Sequence, residues 1–199
     1  MRGKLIVNIR GCNGAGKSTI PSSMMDDEGM FVQSYEWEGK EREMLTVFPT
    51  YGWVALGTYF TKTGGCDRFS SKSMTEYALE RAVDDFPDYD VILEGIILST
   101  VFSTYGDFFK NLEEEYGRKV VIVTLTTPIE TCIERIYNRN GGKPFNEELV
   151  RQKHGMVMRS HEKYKALGLT SIKVNPSKVP KDKVLDRFFK TVNKYRGES

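Results

Sequence analysis

Eight residues near the start of the chain carry the clearest chemistry. Gly11-Cys12-Asn13-Gly14-Ala15-Gly16-Lys17-Ser18 satisfies G-x-x-x-x-G-K-[ST] in full, with Thr19 following. The glycines permit backbone angles that turn successive N–H groups inward, so the loop forms an anion nest capped by a helix N-terminus. In this pattern the lysine, Lys17, reaches the β- and γ-phosphates of a nucleoside triphosphate, and the hydroxyl, on Ser18, is a magnesium ligand. An apolar run at residues 5–9 precedes the loop and a helix-compatible segment follows it, a context that a chance glycine-rich turn lacks. The expected ligands are ATP, as phosphoryl donor, and Mg2+.

Four further residues could turn phosphate binding into phosphate transfer. Glu94 closes the short apolar run 90–93 beside Gly95. An acid at that point orients magnesium or acts as a base near an acceptor, and its bland alternative is a carboxylate capping a helix. Asp67 ends the turn Gly64-Gly65-Cys66-Asp67 after an apolar strand. It is either a turn residue bonding its own backbone or a base for an acceptor hydroxyl at the carboxyl end of a sheet strand. Arg135 and Arg139 stand four apart on one helix and lead into Asn140-Gly141-Gly142-Lys143, a hinge for a lid. Arginines carried over a γ-phosphate stabilise developing charge and exclude water, whereas a solvated helix face beside Glu134 would do neither. His154 and His161 are seven apart, a poor spacing for a metal pair, and read as packing or surface residues.

Strands alternating with helices must hold these groups, which makes the chain α/β with a parallel sheet. The expectation is a P-loop three-layer α/β/α arrangement with a mainly parallel five-stranded sheet, in a single domain over residues 1–199. Residues 31–37 and 44–48 flank the polar turn Glu38-Gly39-Lys40-Glu41 and predict a β-hairpin inserted at about 30–50. Residues 53–59 read as the second core strand and 61–67 as a loop. Pro21 predicts a short or kinked first helix. Ser73-Met74-Thr75-Glu76 has capping-box form, and Thr127-Pro128-Ile129-Glu130 reads as cap, first-turn proline and acid. A small lid is expected at about 135–147.

Composition removes several other classes. The 199 residues carry a formal net charge of +2, which neither advertises nor excludes nucleic acid. Three widely spaced cysteines make a disulfide framework unexpected and favour a cytoplasmic location. No apolar stretch is long enough to span a membrane, and the N-terminus lacks the apolar centre of a signal peptide. The guanine motif N/T-K-x-D of a GTPase is absent.

The chain also resembles a known family. Asn8-Ile9-Arg10-Gly11 entering the loop, Leu56-Gly57-Thr58-Tyr59 leading to Gly64-Gly65-Cys66-Asp67, Leu93-Glu94-Gly95, and Pro128-x-Glu130-x-Cys132-Ile133-x-Arg135 look like phage-encoded P-loop kinases. Within the nucleoside and nucleotide kinase superfamily the match is to 5-hydroxymethyluracil DNA kinases of phages with hypermodified thymine, over most of residues 5–180. That resemblance implies DNA containing 5-hydroxymethyluracil as acceptor, in the host cytoplasm, with Asp67 as acceptor-side acid, Glu94 as magnesium-side acid and Arg135 and Arg139 as lid residues. A flipped base would stack on aromatics, and Tyr35, Trp37, Tyr51, Trp53, Tyr59 and Phe60 are candidates if they are not core. Lys40, Arg42, Lys62, Arg68 and Lys72 are candidates for backbone contacts. Two other readings stay open: a kinase for free deoxynucleosides or nucleotides, and a binding protein that hydrolyses ATP slowly.

Overall fold

The computed structural model describes residues 3–60 and 64–196. Its strands are β1 (Leu5–Arg10), β2 (Phe31–Trp37), β3 (Lys40–Phe48), β4 (Trp53–Leu56), β5 (Asp90–Glu94), β6 (Lys119–Leu125) and β7 (Thr170–Val174). They form one sheet in the order β2-β3-β4-β5-β1-β6-β7. From β4 to β7 every neighbouring pair is parallel, while β2–β3 and β3–β4 are antiparallel.

The sheet therefore has seven strands, not the expected five. The hairpin continues the edge of the sheet, with β3 pairing to β4 from Phe48↔Trp53 to Leu45↔Leu56. The cause is the composition of β3: Met44, Leu45, Val47 and Phe48 are fully buried, and both faces of that half-strand need cover. Its other half, Lys40 to Glu43, is exposed and runs past the C-terminal end of β4. Glu38 (φ 53°) and Gly39 (φ 72°) make the two-residue turn at the tip, which needs the left-handed region at both positions.

Helices cover both faces. They are α1 (Thr19–Ser22), α2 (Lys72–Asp85), α3 (Ile96–Thr100), α4 (Phe102–Tyr116), α5 (Ile129–Arg139), α6 (Glu147–Ala166) and α7 (Val184–Val192). One apolar core joins Ile6, Val91 and Ile122 to Leu79, Phe109 and Tyr164. The other joins Val7, Ile92 and Val121 to Ile20, Ile136 and Phe188. Each residue pair along β1 thus feeds opposite cores, as a strand buried on both faces must. α1 is a single turn, in keeping with the proline at its centre. No helix is long and apolar enough to cross a membrane among the described residues.

Two helix starts differ from expectation. Ser71, in extended conformation, caps α2 by accepting the Met74 N–H at 3.1 Å, which leaves Ser73 inside the first turn. Pro128 occupies the cap position of α5, and Thr127 turns inward, its hydroxyl donating to the Ala15 carbonyl at 2.8 Å. A tertiary partner outcompeted the local cap in the second case. The second core strand also ends early, at Leu56, because Gly57 takes a left-handed φ of 82° and turns the chain out of the sheet.

Candidate active site at the carboxyl ends of the parallel strands

The glycine-rich loop leaves β1 at the sheet's centre. Gly14 (φ 78°) and Gly16 (φ 100°) hold left-handed angles, and a Cβ on Gly14 would strike the Cys132 carbonyl. The loop is braced from three sides. The Ala15 N–H reaches the Cys12 carbonyl at 3.2 Å, the Thr127 hydroxyl holds the Ala15 carbonyl, and the Gly11 N–H donates to the Ser99 hydroxyl at 3.2 Å. Among the described residues no protein acceptor takes the backbone N–H groups of Gly14, Gly16, Lys17 and Ser18. Cys12 and Ala15 are buried, so they offer the loop only their backbone. Lys17 folds back, its Nζ 3.4 Å from the Cys12 carbonyl oxygen. Ser18 is exposed, and Thr19 opens α1.

Two carboxylates follow from the neighbouring strands: Glu94 ends β5, and Asp67 sits in the 3-10 turn Gly65–Arg68 after β4. Glu94 is the last residue of β5, in register with Ile9 of β1, and only 3% exposed. Burial pushes its pKa up to about 7 against the pull of the Lys17 ammonium, and the Asp67 carboxylate adds to the rise. Gly65 makes room for it: at φ 62°, a Cβ there would overlap both the Glu94 carboxylate and its carbonyl. Asp67 is exposed, and its Oδ1 accepts the Ile96 N–H at 2.7 Å. That bond ties the loop after β4 to the start of α3. Cys66 beside it is a buried thiol whose pKa burial pushes up.

Arg135 extends from α5 across the loop, donating from Nη1 to the Gly14 carbonyl at 3.3 Å. Neither Arg135 nor Arg139 pairs with a carboxylate among the described residues, and Glu134 beside them takes no part. Lys17, Ser18, Asp67, Glu94, Arg135 and Arg139 all line one cleft of about 950 Å³. Asn13, Gly14, Gly16 and Thr19 share its wall, while Gly11, Cys12 and Ala15 lie behind it. A cleft that gathers backbone donors and four cations (Lys17, Arg135, Arg139 and Lys143) with two carboxylates suits a polyanion and an ionising hydroxyl together.

Several residues escaped the sequence reading. Pro176, Ser177, Val179 and Val184 line the cleft from the connection after β7, a short segment with no motif to mark it. Arg10 is fully buried just before the loop. Its Nη2 donates to the Ser99 carbonyl and, at 3.0 Å, to the Ser160 hydroxyl, and its guanidinium lies 4.3 Å over the Tyr164 ring. Burial lowers its pKa. The neighbouring thiols of Cys12 and Cys132 donate to the Asn13 and Thr127 carbonyls, and their mutual influence lowers the first pKa and raises the second.

The aromatic candidates separate sharply. Trp37 and Tyr35 pack on Tyr77, Tyr51 and Trp53 on Phe189, and Tyr59 is buried with its hydroxyl on the Leu56 carbonyl. Phe60 alone of the six stands out, at 59% exposed. Lys40 and Arg42 sit on the hairpin among Glu36, Glu38, Glu41 and Glu43, and Lys72 pairs with Glu76, so these cations are poor backbone contacts. Lys62 lies outside the described residues. His161 is buried on Ser171 and His154 faces the Thr127 carbonyl, both in packing positions.

The family described as 5-hmdU DNA kinase matches residues 1–178. The chain is 39% identical over 193 residues to the 5-hmdU DNA kinase of Bacillus phage SP10, covering 94% of this chain and 29% of that protein. It is 36% identical over 170 residues to 5-hmdU DNA kinase 1 of Salmonella phage ViI, covering 83% of this chain and 73% of that protein. Against the 5-hmdU DNA kinase of Pseudomonas phage M6 it is 31% identical over 170 residues, 82% of this chain and 87% of the relative. The chain thus spans under a third of the Bacillus phage protein and most of the other two.

Proposed function

Because this chain belongs to the 5-hmdU DNA kinase family, we propose that it transfers the γ-phosphate of ATP to the hydroxymethyl oxygen of 5-hydroxymethyluracil in phage DNA. The observation that carries the reading is that the glycine-rich loop, two arginines, Asp67 and Glu94 line one cleft together. On this reading the chain is one P-loop kinase domain with a three-layer α/β/α body, acting in the host cytoplasm. Residues 30–50 form its hairpin and residues 135–147 its lid.

The triphosphate lies along the loop, its γ-phosphate at Lys17, with Arg135 and Arg139 closing over it as α5 moves with the connection to α6. The base end of ATP lies toward Pro176, Val179 and Val184, the apolar part of the wall. Asp67, exposed at the cleft's mouth, takes the proton of the acceptor hydroxyl. The acceptor oxygen forms its bond to the γ-phosphorus as the bond to the β–γ bridging oxygen breaks, and ADP leaves with the negative charge that Lys17 and the arginines have balanced. Ser18 and Glu94 supply hard oxygen ligands on one wall, and no cluster of three or more metal-binding side chains exists among the described residues. That donor set fits Mg2+ carried in by the triphosphate, since this ion keeps few protein ligands. When bound it neutralises phosphate charge.

An open acceptor side favours DNA over a free monomer: Asp67 is exposed, where a monomer kinase would enclose its acid in a pocket. The test is transfer from γ-labelled ATP to duplex DNA containing 5-hydroxymethyluracil, offered beside free deoxynucleosides and their monophosphates. Label on the modified DNA and not on unmodified DNA is expected. Label on monomers alone would make the chain a nucleoside kinase, and hydrolysis indifferent to every acceptor would make it a slow ATPase.

A further inference from the structure

We propose that Phe60, with Ile97 on the adjoining loop, is the platform on which the acceptor base rests while its hydroxymethyl group enters the cleft. The inference rests on the proposed function and adds the residues that recognise the base. Phe60 is the most exposed of the large hydrophobic residues, at 59%, and Ile97 follows at 58%. Two exposed apolar side chains on joined loops offer a ligand ring a surface to rest on.

Their placement is built. Gly57 and Gly65, both left-handed, press backbone to backbone and close the base of the loop that carries Phe60, with no room for a Cβ on Gly57. The Thr46 hydroxyl holds the Gly57 carbonyl at 2.8 Å, and buried Tyr59 fixes the neighbouring residue. Phe60 is therefore displayed from an anchored stem. Further along the chain, Gly64 and Asp67 line the cleft. Ile97 is displayed in a matching way, one residue after Ile96, whose N–H is held by Asp67. β4 and β5 are adjacent and parallel, so the two loops leave the sheet side by side. The Asp67–Ile96 hydrogen bond joins these loops, with an exposed apolar side chain in each.

A base taken out of a duplex loses its stacking neighbours and needs an apolar or aromatic surface in exchange. The other five aromatic candidates are each occupied by a protein ring or buried. A flat pyrimidine on Phe60 would bring its 5-substituent toward Asp67.

Phe60→Ala, Phe60→Trp and Ile97→Ser are compared with the unsubstituted protein, using a single-stranded and a duplex oligonucleotide containing 5-hydroxymethyluracil. Phe60→Ala is expected to raise the KM for both DNA substrates by about tenfold or more, the weight of one base–aromatic stack. The KM for ATP should stay within about twofold, which also reports an intact fold, and Phe60→Trp should restore the DNA KM. Ile97→Ser should raise the DNA KM by a smaller factor. Unsubstituted protein that labels DNA while Phe60→Ala shows an unchanged DNA KM would overturn the platform and leave the proposed function standing. An unsubstituted protein that labels no DNA would overturn both.

Discussion

At Glu94 the sequence supplies an acid, and the fold decides its strength. The side chain is buried between the loop lysine and Asp67, and it holds its proton to about 7 where an ordinary glutamate releases it near 4.5. Between those two pH values the folded chain binds a proton that the unfolded chain has lost, so without nucleotide or metal its stability falls as pH rises through the window. The loss is on the order of 3 kcal/mol. Glu94→Gln should abolish this slope and leave the variant more stable than the parent at pH 8, as measured by urea unfolding in a chelator. Parallel curves for the two proteins would show the carboxylate to be freely hydrated. Asp67 supports a different expectation. Asp67→Asn should keep the Ile96 hydrogen bond and the KM for ATP while lowering kcat by about 100-fold or more, because a carboxamide cannot take a proton. Glu94 was legible as a strand-end acid and Asp67 as a turn acid after a strand. Their division of labour was not, because burial and the Ile96 contact depend on parts of the chain distant in sequence.

Among the elements, the glycine turns position the chemistry most directly. Gly65 and Gly39 both have left-handed φ, but a Cβ on Gly65 meets Glu94 and one on Gly39 meets nothing within 4 Å. Gly39→Ala should therefore cost only backbone strain, about 1 kcal/mol, with transfer unchanged. Gly65→Ala should cost more in thermal stability and reduce kcat by at least an order of magnitude, because Glu94 must move. Equal effects of the two would mean that the Gly65–Glu94 contact positions nothing. The glycine-rich loop was fully legible, since its spacing encodes its own backbone. The hairpin was legible as two strands and a turn, but not as the edge of the sheet, because the pairing partner of an edge strand is not written beside it. Thr127 shows the same limit: in sequence it has the form of a helix cap, and in space it braces Ala15 instead.

Over the whole molecule, chemistry gathers at one end of the strands and fastening at the other. Asp90, the first residue of β5 and 3% exposed, accepts from the Leu5 N–H at 2.9 Å and from both terminal nitrogens of Arg196. One carboxylate thus ties the first strand and the last helical turn to the sheet's floor. Arg196→Ala would leave a buried, half-satisfied carboxylate. It should destabilise the fold by on the order of 3 kcal/mol without changing kcat at low temperature, and an unchanged urea midpoint would count against the clamp. Charge is also divided: the hairpin tip is acidic, while Lys17, Arg135, Arg139 and Lys143 face the cleft. A polyanion is thereby drawn to the cleft and not to the arm. The alternation of strands and helices made this body legible from sequence, whereas the six aromatic candidates did not sort themselves, since core and platform use the same residue types. The account is tested most directly by digesting 5-hydroxymethyluracil DNA to nucleosides after incubation with the protein and ATP, then locating the transferred phosphate by mass spectrometry. It predicts a phosphate ester on the 5-hydroxymethyl oxygen of the modified base. Phosphate found only on strand termini, or only as free phosphate, would contradict it.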